Sequence, residues 1–161
     1  MENSKSENQP QPKILIVYHS QSGRTLSMAE YVLKGVQTET SEVRFLHAHN
    51  ATLDDLIWCD GVIFGTPENF GMFSGMIKDF FERTYHKARE MELHKPYCLF
   101  VTCRSSGEGA ERDISKVTTG IGMKRALAPV IANANPLETT DFEKAQELGA
   151  TFAAGVGIQI F

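Results

Sequence analysis

The stretch His19-Ser20-Gln21-Ser22-Gly23-Arg24-Thr25 sets three hydroxyls around one glycine, directly ahead of a segment of helical period. Unpaired N–H groups and the positive end of the helix dipole meet at such a terminus, which suits a phosphate. Ser20, Ser22 and Thr25 add hydroxyl donors; the plainer alternative is that Ser20 or Ser22 caps the helix. A Walker A loop requires Gly-x4-Gly-Lys-Ser/Thr and a dinucleotide fingerprint Gly-x-Gly-x-x-Gly, and the loop matches neither. A nucleoside triphosphate and a Rossmann-bound NAD are therefore disfavoured. Two more segments carry turn and polar chemistry, Gly65-Thr66-Pro67-Glu68-Asn69-Phe70-Gly71 and Thr102-Cys103-Arg104-Ser105. His47, His49, His86 and His94 lack ligand spacing, so no metal site is expected.

The elements that must position these loops follow from periodicity. Residues 13–18 form a compact apolar run ending in polar turn chemistry, which predicts a buried strand. Met28, Ala29, Val32, Leu33 and Val36 recur at helical spacing, and residues 42–47 alternate as a strand does. A short helix over 51–58 and a strand over 61–65 come next, with Gly65 to Gly71 read as loop. Met76, Ile77, Phe80 and Phe81 then share one helical face. A strand over 96–102, a helix with Ile114, Val117 and Ile121 on one face, a strand over 127–132 and a helix bearing Phe142, Ala145, Leu148 and Phe152 complete the pattern. Strands alternating with helices call for a parallel sheet covered on both faces, because each parallel link needs a crossover. Ligands of such sheets bind beyond the carboxyl ends of the strands, where all three loops fall.

The 161 residues suffice for one domain with one sizeable core, and no apolar run approaches the roughly twenty residues of a bilayer span. Residues 1–12 are polar and are expected to form a disordered tail, matching neither a secretory signal nor a transit peptide. A net charge of −4 gives no footprint for nucleic acid or anionic lipid, so a small-molecule partner is expected. The odd set Cys59, Cys98 and Cys103, without a Cys-x-x-Cys pair, points to reduced thiols in a cytoplasm.

Residues Ser20 to Thr25 resemble the first loop of the flavodoxin-like family, typically Ser/Thr-x-Thr-Gly-x-Thr. The segment from Gly65 to Gly71, followed by Met72-Phe73-Ser74-Gly75, is similar to the NAD(P)H-dependent FMN reductase and quinone reductase branch. The resemblance covers Lys13 almost to the end. It implies a three-layer, doubly wound fold over residues 13–161, with a five-stranded parallel sheet of order 2-1-3-4-5. It also implies an FMN site: Ser20, Gln21, Ser22, Gly23, Arg24 and Thr25 at the phosphate, and Thr66, Pro67, Glu68, Asn69, Phe70 and Gly71 along the isoalloxazine. Thr102, Cys103, Arg104 and Ser105 would complete it, although family members place Gly, Asn or Asp where Arg104 and Ser105 stand. Reduced flavin carries negative charge that loop amides could stabilise.

Several assignments stay open at this point. Arg104 either neutralises the reduced ring, meets the 2′-phosphate of NADPH, or forms a surface ion pair. Phe70 or Phe73 either stacks on the ring or belongs to the core or a homodimer interface. The fate expected of Cys103 is a buried structural thiol. The expected function is an FMN-dependent oxidoreductase taking electrons from NAD(P)H to a quinone, flavin or similar acceptor, with flavin N5 doing the chemistry; the alternative is an electron carrier for redox proteins. Cys98-x5-Arg104-Ser105 formally spells a phosphatase loop, but its intervening residues read as a buried strand. Gly155 to Phe161 is apolar and follows the final helix, packing on the sheet or on a partner subunit.

Overall fold

A computed structural model describes residues 10–161. The elements in chain order are β1 (Ile14–Tyr18), α1 (Arg24–Gln37), β2 (Val43–His47), α2 (Leu53–Trp58), β3 (Gly61–Asn69), β4 (Met72–Phe73), α3 (Gly75–Glu90), β5 (Pro96–Thr102), α4 (Glu108–Ile121), β6 (Lys124–Arg125), β7 (Val130–Ala132) and α5 (Thr139–Gly157). Parallel pairing runs β2-β1-β3-β5, with β6 and β7 both on the outer edge of β5. This is the order 2-1-3-4-5 with the fifth strand in two pieces. Chain order reverses between β1 and β3, so the switch point lies at the carboxyl ends of those strands.

The strands are apolar on both sides because both faces are covered. Leu15, Val17, Val62, Phe64, Leu99 and Val101 belong to the layer beneath α2, α3 and α4. Their neighbours Ile14, Ile16, Ile63, Cys98 and Phe100 belong to the layer beneath α1 and α5. The period of two thus divides one sheet between two cores.

Four expectations need correction. The strand expected over 127–132 is shortened to β7 (Val130–Ala132), and a separate two-residue piece, β6, precedes it outside the expected range; between the two, Pro129 carries no N–H to donate to a ladder. The segment from Gly65 to Asn69 is not loop: β3 continues through it and folds back into β4, pairing Asn69 with Met72. Phe70 and Gly71 make the connecting turn, both with positive φ (54° and 70°), as a two-residue hairpin turn matched to strand twist requires. The final helix extends through Gly157, and Phe161 folds back to stack on Phe152 at 5.9 Å, leaving Ile158 and Ile160 exposed. Of the expected tail, residues 1–9 lie outside the described residues. Gln11 is held, its side-chain oxygen accepting from the Ser41 N–H at 2.9 Å and from the Thr40 and Ser41 hydroxyls.

The layer of α1 and α5 closes on two glycines. A Cβ on Gly35 would stand 2.0 Å from the Gln146 carbonyl oxygen, and one on Gly149 would stand 2.1 Å from that of Val32. Each helix backbone therefore fills the space that a side chain on the other would need, and the close approach is reciprocal. Gly149→Ala should destabilise the protein by about 2 kcal/mol through overpacking despite the better helix propensity of alanine. Urea denaturation of the variant against the parent reads this directly.

Candidate functional site

The first loop leaves β1 at the switch point. The His19 N–H donates to the Gly65 carbonyl at 3.0 Å, tying the start of the loop to β3. The Ser20 hydroxyl oxygen accepts from the N–H groups of Gly23 (3.2 Å) and Leu26 (3.1 Å), so the capping role falls to Ser20. Gly23, at φ 95°, turns the chain into α1. With Ser20 behind the loop, Gln21 and Ser22 are left exposed at its tip. Among the described residues nothing accepts from the backbone N–H of Gln21, Ser22, Arg24 or Thr25. These donors converge where the dipole of a fourteen-residue helix is positive.

Arg24 and Thr25 begin α1 on its buried side. The Arg24 guanidinium donates through one terminal nitrogen to the carbonyls of Cys103 (3.2 Å) and Ala134 (2.5 Å), and its Nε is buried without a partner. No carboxylate pairs with it among the described residues, so a full positive charge is held by two neutral oxygens. Thr25 is buried, its hydroxyl 2.7 Å from that of Thr102, which joins the first loop to the end of β5. His19 sits behind the loop with its ring 5.3 Å from that of His47, and burial, then His47, lowers its pKa.

The second wall is the β3–β4 hairpin. Thr66 is fully buried; its hydroxyl donates to the Pro67 carbonyl (2.8 Å) and accepts from the Ser74 N–H (3.0 Å). Thr66 is thus a support beneath the hairpin and does not face the cleft. Ser74 in turn caps α3, its hydroxyl accepting from the Ile77 N–H. Phe70 is 97% exposed at the hairpin tip, whereas Phe73 turns inward and meets the Phe81 ring edge-on at 6.0 Å. Of the two readings for Phe73, the core reading holds. Glu68 reaches across the cleft: one carboxylate oxygen accepts from the Ser105 hydroxyl (3.0 Å) and the other from the Ala110 N–H (3.2 Å).

The third wall follows β5. Cys103 is buried, and its thiol donates to the Ser105 carbonyl at 3.4 Å. Burial, reinforced by the Glu68 charge, pushes this thiol above its usual range, so it stays protonated. Arg104 is exposed, and no carboxylate pairs with it among the described residues, which removes the surface ion-pair reading. Cys98 is fully buried in β5, so the formal phosphatase spacing cannot form an accessible nucleophile.

The three walls enclose a cleft of about 750 Å³, within the range of roughly 300–1,000 Å³ that cofactor-sized ligands occupy. Every residue lining it is one the sequence singles out; Ser20, Gly23 and Thr66 lie behind it as supports. Sequence reasoning misses Asn133, whose side-chain amide donates to the Ser105 carbonyl, and Ala134, which anchors Arg24. Neither residue stands in a motif; only the fold brings the end of β7 to this place. Four free N–H groups, an exposed hydroxyl on Ser22 and an uncompensated Arg24 make one end of the cleft an anion seat, and the chain fits a phosphate-bearing cofactor there.

A doubly wound sheet with an anion loop at its switch point, and a Gly-Thr-Pro strand end beside it, defines the flavodoxin-like class of cofactor-binding folds. Comparison with known proteins agrees: the NADPH-dependent FMN reductase family matches residues 47–135, more than half of the chain, and the chain belongs to that family. An NAD(P)H dehydrogenase (quinone) from Acidithiobacillus ferrooxidans is 30% identical over 129 residues, covering 66% of this chain and 64% of that protein. A flavodoxin from Aquifex aeolicus is 41% identical over 71 residues, covering 44% of this chain and 38% of that one. The chain therefore spans less than two thirds of the length of these relatives. The crystal structure of the flavodoxin, WrbA-like protein from Agrobacterium tumefaciens superposes with a TM-score of 0.77 at 22% identity, covering 92% of this chain and 99% of that one. That likeness establishes the fold.

Ser20 and Ser22 separate the two roles of the first loop. Ser20→Ala should lower stability by about 1 kcal/mol through loss of a cap, and Ser22→Ala should leave it within about 0.5 kcal/mol. Thermal melting of the two variants checks the difference.

Proposed function

We propose that the chain binds FMN in this cleft and passes reducing equivalents from NAD(P)H to a quinone, flavin or similar small acceptor. The observation that carries the reading is the set of N–H groups at Gln21, Ser22, Arg24 and Thr25, unpartnered among the described residues, at the switch point of a family-typical sheet. They suit a phosphate dianion, and the Ser22 hydroxyl adds a donor at the same rim. Gly71 gives the second wall a backbone without side-chain bulk, while Thr102 to Ser105 furnish the third. When bound, FMN supplies the capacity to take a hydride and hand electrons on. The protein positions reactants over it, excludes water on the walled sides, and holds positive charge nearby at Arg24 and Arg104. No side-chain acid or base is required.

Arg104 is free to meet either the negative charge of a reduced ring or the 2′-phosphate of the donor. A cytoplasmic setting suits three unpaired thiols. Phe70 and Met72 expose apolar surface on one hairpin, 97% and 50% respectively, which favours a homodimer covering that edge of the cleft. The second reading, a carrier of electrons between redox proteins, is favoured by the flavodoxin relative. The mild net charge of −4 speaks for small-molecule acceptors, because docking on redox proteins draws on strong single-sign surfaces.

FMN should bind at about one per chain and much more tightly than riboflavin, since the phosphate carries the attraction to the first loop. Equal affinity for the two in a fluorescence titration overturns the loop assignment. Ser22→Glu should weaken FMN binding at least about tenfold with little change in melting, by setting a carboxylate against the phosphate.

Enzyme and carrier divide on the electron source. NADH or NADPH alone should bleach the bound flavin in anaerobic stopped flow, and a quinone should restore its absorbance. Arg104→Ala should lose more rate with NADPH than with NADH, by the roughly 1.5–3 kcal/mol of a charged hydrogen bond. Flavin that stays oxidised with both nucleotides, yet is reduced by a separate flavoprotein reductase, assigns the carrier role instead.

A further inference from the structure

The helix α4 begins without a cap of its own. Its N-cap residue, Gly107, has φ 73° and no side chain, and the Ser106 hydroxyl reaches only the N–H of Glu108. The N–H of Ala110, in the third position of the helix, is one of the groups that a helix cannot satisfy internally. Glu68 satisfies it from 42 residues away, at 3.2 Å, while its other oxygen takes the Ser105 hydroxyl at 3.0 Å. A carboxylate over a helix N-terminus is also favoured by the dipole.

A second contact joins the same two walls. A Cβ on Gly109 would lie 1.8 Å from the Gly71 carbonyl oxygen and 3.4 Å from the Glu68 carboxylate, so the hairpin turn rests directly on the first turn of α4. Only glycine at position 109 permits that approach. Both Glu68 carboxylate oxygens are taken up by the Ser105 hydroxyl and the Ala110 N–H, which explains why a carboxylate is tolerated in a cleft built to hold an anion.

We infer that Glu68 is a positioning residue: it latches the β3–β4 hairpin to the loop after β5 and to the start of α4, and with Gly109 it fixes the width of the cleft. This extends the FMN reading, in which Phe70, Gly71, Arg104 and Ser105 flank the ring. No contact between Glu68 and the cofactor is needed. The latch sets how far the two walls stand apart and how readily the hairpin lifts.

Three variants of the full chain, Glu68→Ala, Glu68→Gln and Gly109→Ala, test the latch by two readouts. Glutamine preserves both bonds, its amide oxygen accepting from Ala110 and its NH2 donating to the Ser105 hydroxyl, and removes only the charge. Hydrogen exchange without flavin should show the Ala110 and hairpin amides opening about tenfold faster in Glu68→Ala, with β1 and β5 unchanged and Glu68→Gln within about threefold of the parent. With FMN added, Glu68→Ala and Gly109→Ala should release it about tenfold faster and weaken the visible circular dichroism of the bound ring, and Glu68→Gln should restore both. Hairpin protection unchanged in Glu68→Ala, or damage in Glu68→Gln equal to that in Glu68→Ala, overturns the latch. If the parent protein fails to bind FMN, the cofactor reading falls, and the exchange experiment still decides the latch.

Discussion

The strand β1 is bonded along both edges, Ile14 pairing with Val43 on one side and with Gly61 on the other, and the register continues to Tyr18 against His47 and Gly65. Because all three strands point the same way, that register ends β1 and β2 at one level, while β3 runs on past them to Asn69 as the wall of the cleft. The Ala48 N–H then donates to the Tyr18 carbonyl, and the His19 N–H to that of Gly65, so the last ladder bonds are made by the first loop residues themselves. A slip of one residue would exchange the two apolar faces of β1, placing Leu15 and Val17 in the layer that now holds Ile14 and Ile16. The position of the anion loop is thus fixed by packing some 10 Å beneath it, on the order of three strand residues.

Charge in the cleft is arranged by the partners its lining groups are given. Arg24 is pinned by two backbone carbonyls, one after β5 and one after β7, so the cation is held by neutral oxygens, with no counter-ion among the described residues. The acidic group on the opposite wall is given to a helix terminus, and the thiol between them stays neutral through burial. Thr25, Thr66 and Thr102 are all buried and hydrogen-bonded, so hydroxyls that look like ligands in the sequence act as struts between loops. Beside the Ser22 hydroxyl and Arg104, the accessible donors are consequently backbone N–H groups, whose direction is set by the fold.

Strand and helix identity was legible in the sequence because both faces of the sheet are covered: runs such as residues 13–18 and 96–102 are continuously apolar, and the helices carry single apolar stripes. The cleft's lining was legible because it is built from residues that follow strands directly. What escaped was long-range: that Ser20 takes two N–H groups from its own loop while Thr25 turns to Thr102 depends on the direction in which α1 leaves. The hairpin escaped because Thr66-Pro67-Glu68-Asn69 looks like turn chemistry, yet β5 pairs with Thr66 and Pro67 and extends the strand. Asn133 and Ala134 were invisible, being placed by a strand piece only three residues long. The misplaced end of α5 had a similar cause, since Gly155 and Gly157 read as breakers when α5 buries one of them.

The division of the last strand has a consequence for how these molecules meet at high concentration. A long, unbroken outer strand would offer a continuous row of free N–H and C=O groups to any other extended chain. Here that row is cut into two residues and three, separated by Pro129, and the first piece carries two exposed cations, Lys124 and Arg125, the latter paired with Glu111 of α4. An incoming strand would find neither the length nor the neutrality that cross-strand growth demands. The far margin of the sheet is thereby a terminus in the sense of polymer growth, made by a feature that has no part in the cleft.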